Sequence, residues 1–190
     1  MHRRSILTGV AGSMFIASIA AADFNAFTWT LTNSGLSGPS GGQFSAGQSL
    51  NVLAAATVGG TGTLTSSTMT LVGGNAGIRG LTWYTATAAS AGTISVNWAY
   101  TNAPGGDSQG YDGGGYVLNG VFTVLAINSQ SPASGSISFS VAAGDTFGFG
   151  SATADGLFGA GTTTFTNFVP APGAIALLSI AGLARSRRRG

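Results

Sequence analysis

The sequence predicts an all-β protein, an antiparallel β-sandwich or jelly roll, flanked by an N-terminal signal helix and a short C-terminal apolar helix. Three observations carry this. Apolar and polar residues alternate over short stretches, most clearly in Thr93–Tyr100, where Ile94, Val96, Trp98 and Tyr100 share one face. Turn residues recur every few positions, helped by 32 glycines, and roughly eight to ten short strands are expected between them. No stretch shows the 3.6-residue periodicity of an amphipathic helix, and no repeat of fixed length marks a β-helix.

The elements follow in order. Ala26–Thr32 alternates Phe27, Trp29 and Leu31 as a half-buried strand, and Asn33–Gly47 is a polar loop. Ser49–Val58 is an alanine-weakened strand. Gly62–Val72 is a Thr-rich strand closed by Gly73-Gly74-Asn75, and Leu81–Thr87 carries Trp83 and Tyr84. Thr93–Tyr100 precedes a long Gly/Asp loop over Asn102–Gly115. Tyr116–Leu118 then enters Asn119-Gly120, a type I′ hairpin signal, and Val121–Ile127 returns. Ser136–Val141 and Thr146–Phe149 flank an Ala143-Gly144-Asp145 turn. Ser151–Gly161 is a loop, and Thr162–Phe168 is the final strand.

The two ends read as address signals, which divides the chain into 1–22, 23–168 and 169–190. Arg3 and Arg4 precede an apolar run over Ile6–Ala20, with an Ala20-Ala21-Ala22 cleavage site. At the other end, Val169, Pro170, Pro172 and Gly173 form an extended break. A short apolar run, Ala174–Ala184, follows, and then Arg185, Arg187, Arg188 and Arg189. That run is about half the roughly 20 residues that a spanning helix needs, which suits transient membrane insertion better than a permanent anchor. These residues resemble the PEP-CTERM sorting signal in its VPxPG form, with Ala171 where the commonest form has Glu. The resemblance implies processing by an exosortase-like protease, export to the cell envelope, surface or extracellular space, and a setting rich in exopolysaccharide. Trp98, Tyr100, Tyr111-Asp112, Tyr116–Gly120 and Ala143-Gly144-Asp145 also resemble a domain found ahead of such tails, similar to galactose-binding-like or CUB-like sandwiches.

Charge excludes some functions. Six of the seven arginines lie in the terminal signals, so 23–168 keeps Arg79 against Asp23, Asp107, Asp112, Asp145 and Asp155, a net of 1 − 5 = −4. An acidic domain without a basic patch is not expected to bind nucleic acid through phosphates. Cysteine is absent, so disulfides do not hold the exported domain together.

Chemistry-bearing candidates are few. Gly106-Asp107-Ser108-Gln109-Gly110 fits G-x-S-x-G, but the sole histidine is His2 and there is no lysine, so Ser108 has no base. Paired aspartates offer an acid and a base for glycoside hydrolysis, although aspartates in Gly-rich loops ordinarily cap turns. Asp107, Asp112 and Asp155 are instead candidate ligands for a structural Ca²⁺, which takes carboxylate and carbonyl oxygens; the alternative is a solvated acidic loop. Trp83, Tyr84, Tyr111 and Tyr116 are candidate sugar platforms, whereas Trp29 and Trp98 are expected in the core. Trp83 and Tyr84 are adjacent, so a regular strand points them to opposite faces and leaves one available to solvent. The expected function is a non-catalytic surface or matrix protein, with no cofactor beyond that Ca²⁺ and with extracellular polysaccharide as its partner. The alternative is a Ca²⁺-dependent carbohydrate-binding module, and a glycoside hydrolase is disfavoured because Glu is absent.

Overall fold

The structure is a computed structural model that describes residues 23–106 and 108–170. Its strands are β1 (Thr30–Leu36), β2 (Ser49–Ala55), β3 (Thr61–Leu64), β4 (Thr68–Val72), β5 (Gly80–Thr87), β6 (Gly92–Thr101), β7 (Asp112–Leu118), β8 (Val121–Ile127), β9 (Ala133–Val141), β10 (Thr146–Thr153) and β11 (Thr162–Val169). All pairings among them are antiparallel. They form a sandwich, as the alternation predicts. One layer is an open sheet in the order β3-β4-β11-β6-β9; the other, β1-β2-β8-β7-β10-β5, closes on itself as a ring. The signal helix and the apolar C-terminal helix fall outside the described residues.

The closure gives the domain two cores. Between the layers lie Phe24, Met69, Leu71, Ile94, Val96, Phe147, Phe149, Phe165 and Phe168. Inside the ring lie Leu36, Phe44, Leu50, Leu81, Trp83, Val117, Phe122 and Val124. The middle strands of the ring therefore bury both faces. Along β10, Phe147 and Phe149 point at the open sheet while Gly148 and Gly150 point into the ring, where each leaves room for the Trp83 side chain. A Cβ at Gly148 would overlap the Tyr84 carbonyl oxygen and sit 3.0 Å from Trp83 Cε3.

Several elements differ from the expectation. The first strand starts at Thr30. Phe24–Ala26 is a single 3-10 turn, capped by Asp23, whose Oδ1 accepts the Asn25 N–H at 2.7 Å. Phe27 and Trp29 still reach the inter-layer core, ahead of β1, because Trp29 Nε1–H donates to the Phe24 carbonyl at 2.7 Å. Leu31 is exposed. Gly62–Val72 is two strands, since Thr65 and Thr68 bond each other across a tight turn. Gly113–Gly115, expected in a loop, lie within β7: their missing side chains let β7 press against Phe122 on one side and Thr163 on the other. The described strands number eleven. Val169, read as the start of the linker, is the last residue of β11 and pairs with Ser95.

The Asn119-Gly120 hairpin and the Ala143–Asp145 turn lock together as one corner. Asp145 accepts the Ala142 N–H at 2.7 Å and the Asn119 side-chain amide at 3.0 Å. The backbone bond first, and the Asn119 bond second, hold the Asp145 carboxyl below its ordinary range. A carboxylate held this way stabilises the corner at neutral pH and ceases to do so as the pH falls through its lowered value.

Candidate functional site

Five connections gather at the end of the sandwich where β1 and β10 finish and β5 and β7 begin. They span residues 37–48, 73–79, 102–111, 128–132 and 154–161. The first of them lays Phe44 into the ring as a plug. Phe44 N–H donates to the Gly110 carbonyl at 2.6 Å, and Gly110 N–H donates in turn to the buried Asn128 Oδ1.

Arg79 fastens this plug. Its guanidinium lies 4.5 Å over the Phe44 ring and donates to the carbonyls of Ser37 at 3.0 Å, Pro39 at 3.3 Å and Gly42 at 2.6 Å. Burial lowers its pKa from the ordinary value. An ammonium cannot span three carbonyls and lie flat on a ring as a planar guanidinium does. We expect Arg79→Lys to lower the melting temperature and to open residues 37–48 to limited proteolysis, at a cost of about 2 kcal/mol. An unchanged cleavage pattern would count against the clasp.

The interior between the layers changes character toward this end. On β10 the row Phe147, Phe149 continues as Ser151, Thr153; on β7 the row Leu118, Tyr116 continues as Gly114, Asp112. Facing them, Tyr100 and Thr163 are paired across β6 and β11. Tyr100, Thr163, Ser151, Thr153 and Asp112 are all essentially fully buried. Ser151 Oγ donates to the Gly161 carbonyl at 2.9 Å, and Thr153 Oγ1 accepts the Gly156 N–H at 2.8 Å. The Tyr100 hydroxyl and Thr163 Oγ1 have no hydrogen-bond partner among the described residues. Burial first, and then the nearby Asp112 charge, push the Tyr100 pKa far above its usual value. Gly161 and Gly114 approach these two hydroxyls so closely that a side chain at either position would overlap them.

The sequence-derived candidates are distributed unevenly. Asp112 and Asp155 come to the same end of the adjoining strands β7 and β10, where the Ala154 N–H bonds the Tyr111 carbonyl at 2.6 Å. Asp112 is 1% exposed and faces the interior; Asp155 is partly exposed, with Oδ1 accepting the Leu157 N–H at 3.0 Å in a turn. Asp107 lies outside the described residues. Among those described, no three His, Cys, Asp or Glu side chains are grouped to hold a metal ion. Ser108 is exposed on the β6–β7 connection, which leads into a strand and not a helix.

The platform expectation needs correction at Trp83, which is 8% exposed. Trp83 lines the ring interior, with Nε1–H donating to Ser34 Oγ at 3.2 Å. Tyr84 points the other way, as adjacent strand residues do, yet it packs on the inter-layer core and lies against Gly62 of β3. β5 packs on both sides, so Tyr84 is left half-buried instead of open to solvent. Tyr111 is half-buried beside the ring core. Trp29 and Trp98 pack on the inter-layer core as expected.

Sequence reasoning missed Phe158. It is 70% exposed, at φ 60°, a backbone region rarely adopted by aromatic residues. Leu157 and Ile78, also exposed, belong to the same tip, since the Gly77 N–H bonds the Gly156 carbonyl at 2.9 Å. The available signal was an apolar pair, Leu157-Phe158, inside a Gly-rich loop.

Of the sorting-signal residues, Val169 and Pro170 are described. Pro172, Gly173, Arg185, Arg187, Arg188 and Arg189 are outside the described residues. Among the described residues, no helix is long and apolar enough to cross a membrane.

No family model matches the chain, and no curated protein matches it. Solved structures show distant likenesses. The native structure of a family 35 carbohydrate binding module from Clostridium thermocellum aligns at TM-score 0.32 and 12% identity, over 78% of this chain and 98% of that one. The CBM35 from Cellvibrio japonicus Abf62 aligns at 0.31 and 15%, over 72% and 92%. A family 35 carbohydrate binding module from an environmental isolate aligns at 0.31 and 18%, over 78% and 95%.

Proposed function

We propose that this chain is a non-catalytic exported module of the cell surface or extracellular matrix, processed at its tail by an exosortase-like protease and associated with exopolysaccharide. One observation supports the non-catalytic reading above others: the described charged side chains serve the fold. Asp23 caps the first turn, Asp145 locks a corner, Asp155 holds a turn, Asp112 is enclosed between the layers, and Arg79 clasps the Phe44 plug. A general acid–base pair needs two carboxyl groups that meet one substrate, and of the neighbouring Asp112 and Asp155 the first is 1% exposed. The sorting part rests on the order Val169-Pro170-Ala171-Pro172-Gly173, apolar run, arginines.

A second reading is a Ca²⁺-dependent carbohydrate-binding module. It is favoured by the strand register that sets Asp112 and Asp155 at neighbouring strand ends, beside the connection that carries Asp107.

The test uses protein recovered from the native host. Its intact mass is measured first, and then its retention on the host's own polysaccharide, in Ca²⁺ and in chelator. Loss of the residues beyond about Pro172 with retention in both conditions is the expected result. A chain still ending in Gly190 overturns the sorting part. Retention lost in chelator selects the Ca²⁺ reading, and no retention in either condition overturns polysaccharide association.

A further inference from the structure

The two layers differ in one respect that bears on assembly. The ring has no edge, whereas the open sheet has two, β3 and β9. An unpaired edge offers a row of backbone donors and acceptors to another strand, and proteins ordinarily blunt such edges with short strands, charges, prolines or bulges. β3 is blunted by length, at four residues. β9 has none of these protections. It runs nine residues as Ala-Ser-Gly-Ser-Ile-Ser-Phe-Ser-Val, without charge or proline, and pairs with β6 without a register shift from Ala133 to Val141.

Its two faces are sharply sorted. Ser134, Ser136, Ser138 and Ser140 are exposed on the outer face, where Ser138 Oγ lies 2.9 Å from Ser95 Oγ. Ala133, Gly135, Ile137, Phe139 and Val141 alternate with them on the core side. Ile137 and Phe139 pack on the inter-layer core yet remain only partly buried. Phe139 stacks on Tyr116 with ring centroids 4.8 Å apart. At Gly135 the inner row is empty, and Trp98 of β6 leans over the gap, 3.0 Å from where a Cβ would stand.

We propose that β9 is the docking edge for a second copy of this chain, paired antiparallel about a two-fold axis through Ile137. This is the symmetric register that uses all nine residues. It sets Ile137 opposite Ile137, Ser136 opposite Ser138, Ser134 opposite Ser140, Ala133 opposite Val141, and Gly135 opposite Phe139. Every serine meets a serine and every core-side residue meets a core-side residue, so the pleat matches across the joint. A shift of one residue would set serines against the apolar row. The largest side chain meets the smallest, so Phe139 of each copy, stacked on its own Tyr116, faces no bulky residue across the joint. The strand carries no charge with which to select an oppositely charged partner, and its own sequence is its complement. The pairing is isologous, so it consumes the β9 edge of both copies and closes as a dimer with one continuous ten-stranded sheet.

Sedimentation velocity of the full chain over a wide concentration range tests this, with two double substitutions at exposed positions. In the proposed register, Ser136→Lys with Ser138→Lys sets like charges opposite each other twice. Ser136→Lys with Ser138→Glu sets opposite charges together at the same two places. Wild type is expected to show a concentration-dependent monomer–dimer equilibrium, weakened about tenfold or more by the like-charge pair and recovered by the opposite-charge pair. A wild-type chain that stays monomeric throughout overturns the proposal, as it would if another segment of the same chain covered β9. Association that responds equally to both double substitutions also overturns it, because the proposed register sets opposite residues 136 and 138 in direct contact and separates repulsion from attraction there. Melting temperatures of both variants verify folding. The swapped pair, Ser136→Glu with Ser138→Lys, repeats the opposite-charge arm independently.

Discussion

Gly148→Val is expected to abolish the folded domain. The reason lies in how closely β10 and β5 approach inside the ring. A Cβ at position 148 overlaps the Tyr84 carbonyl oxygen, which is backbone and cannot swing aside, and its further methyls meet the Trp83 ring. Moving β5 away breaks its pairing with β1 as well as with β10, and with it the closure of the ring. Overpacking of a core ordinarily costs about 1–3 kcal/mol; a clash against fixed backbone within a closed sheet exceeds that range. Loss of the cooperative melting transition, followed by far-ultraviolet circular dichroism, is the expected observation. A Gly148→Val protein with a wild-type melting curve would show that β5 and β10 are not held at this spacing.

Phe149→Ala carries the second large effect. The Phe149 ring lies within 6.4 Å, centroid to centroid, of four others: Trp29, Phe139, Phe165 and Phe168. It joins the 3-10 turn region, both layers and the β9 edge in one aromatic cluster. Truncating a buried phenylalanine costs about 3–5 kcal/mol, partly from the cavity left behind. That is a large share of the roughly 5–15 kcal/mol that holds a typical domain together, and no disulfide compensates. Urea denaturation should show the midpoint falling steeply. Phe158→Ala removes the same atoms from an exposed site and should change stability by no more than about 0.5 kcal/mol. Similar midpoints for the two variants would refute the placement of both rings.

Much of the fold was legible because half-buried strands write their alternation into the sequence. β6 and β9 show it plainly, each with one face toward the core and one toward solvent. The ring was illegible for the complementary reason. β5 and β10 pack on both faces, so Trp83 and Tyr84 read as one buried and one open residue when Trp83 lies in one core and Tyr84 is half-buried against the other. Gly113–Gly115 read as a loop because a strand pressed from both sides keeps glycine, the residue that ordinarily signals a turn. Closure itself depends on the β1–β2 and β2–β8 pairings, which connect residues that carry no mutual mark in the sequence. At the loop end, the aspartates were visible but their orientation was not. Which of two neighbouring carboxyls turns inward is decided by strand parity, and the parity of β7 was hidden by its glycines. Arg79 looked like a leftover charge; its role appears only once Phe44, distant in sequence, lies beneath it.

The strand order of the open sheet has a consequence for folding. β11 is the last strand in the sequence, yet it occupies the middle of that sheet, between β4 and β6. Without β11, the pairings left in this layer are the β3-β4 hairpin and the long-range β6-β9 pair, and Phe165 and Phe168 are missing from the inter-layer core. A chain made from its N-terminus therefore cannot complete this layer until its final strand has been made. The keystone enters last, which ties completion of the sandwich to the arrival of residues 162–169.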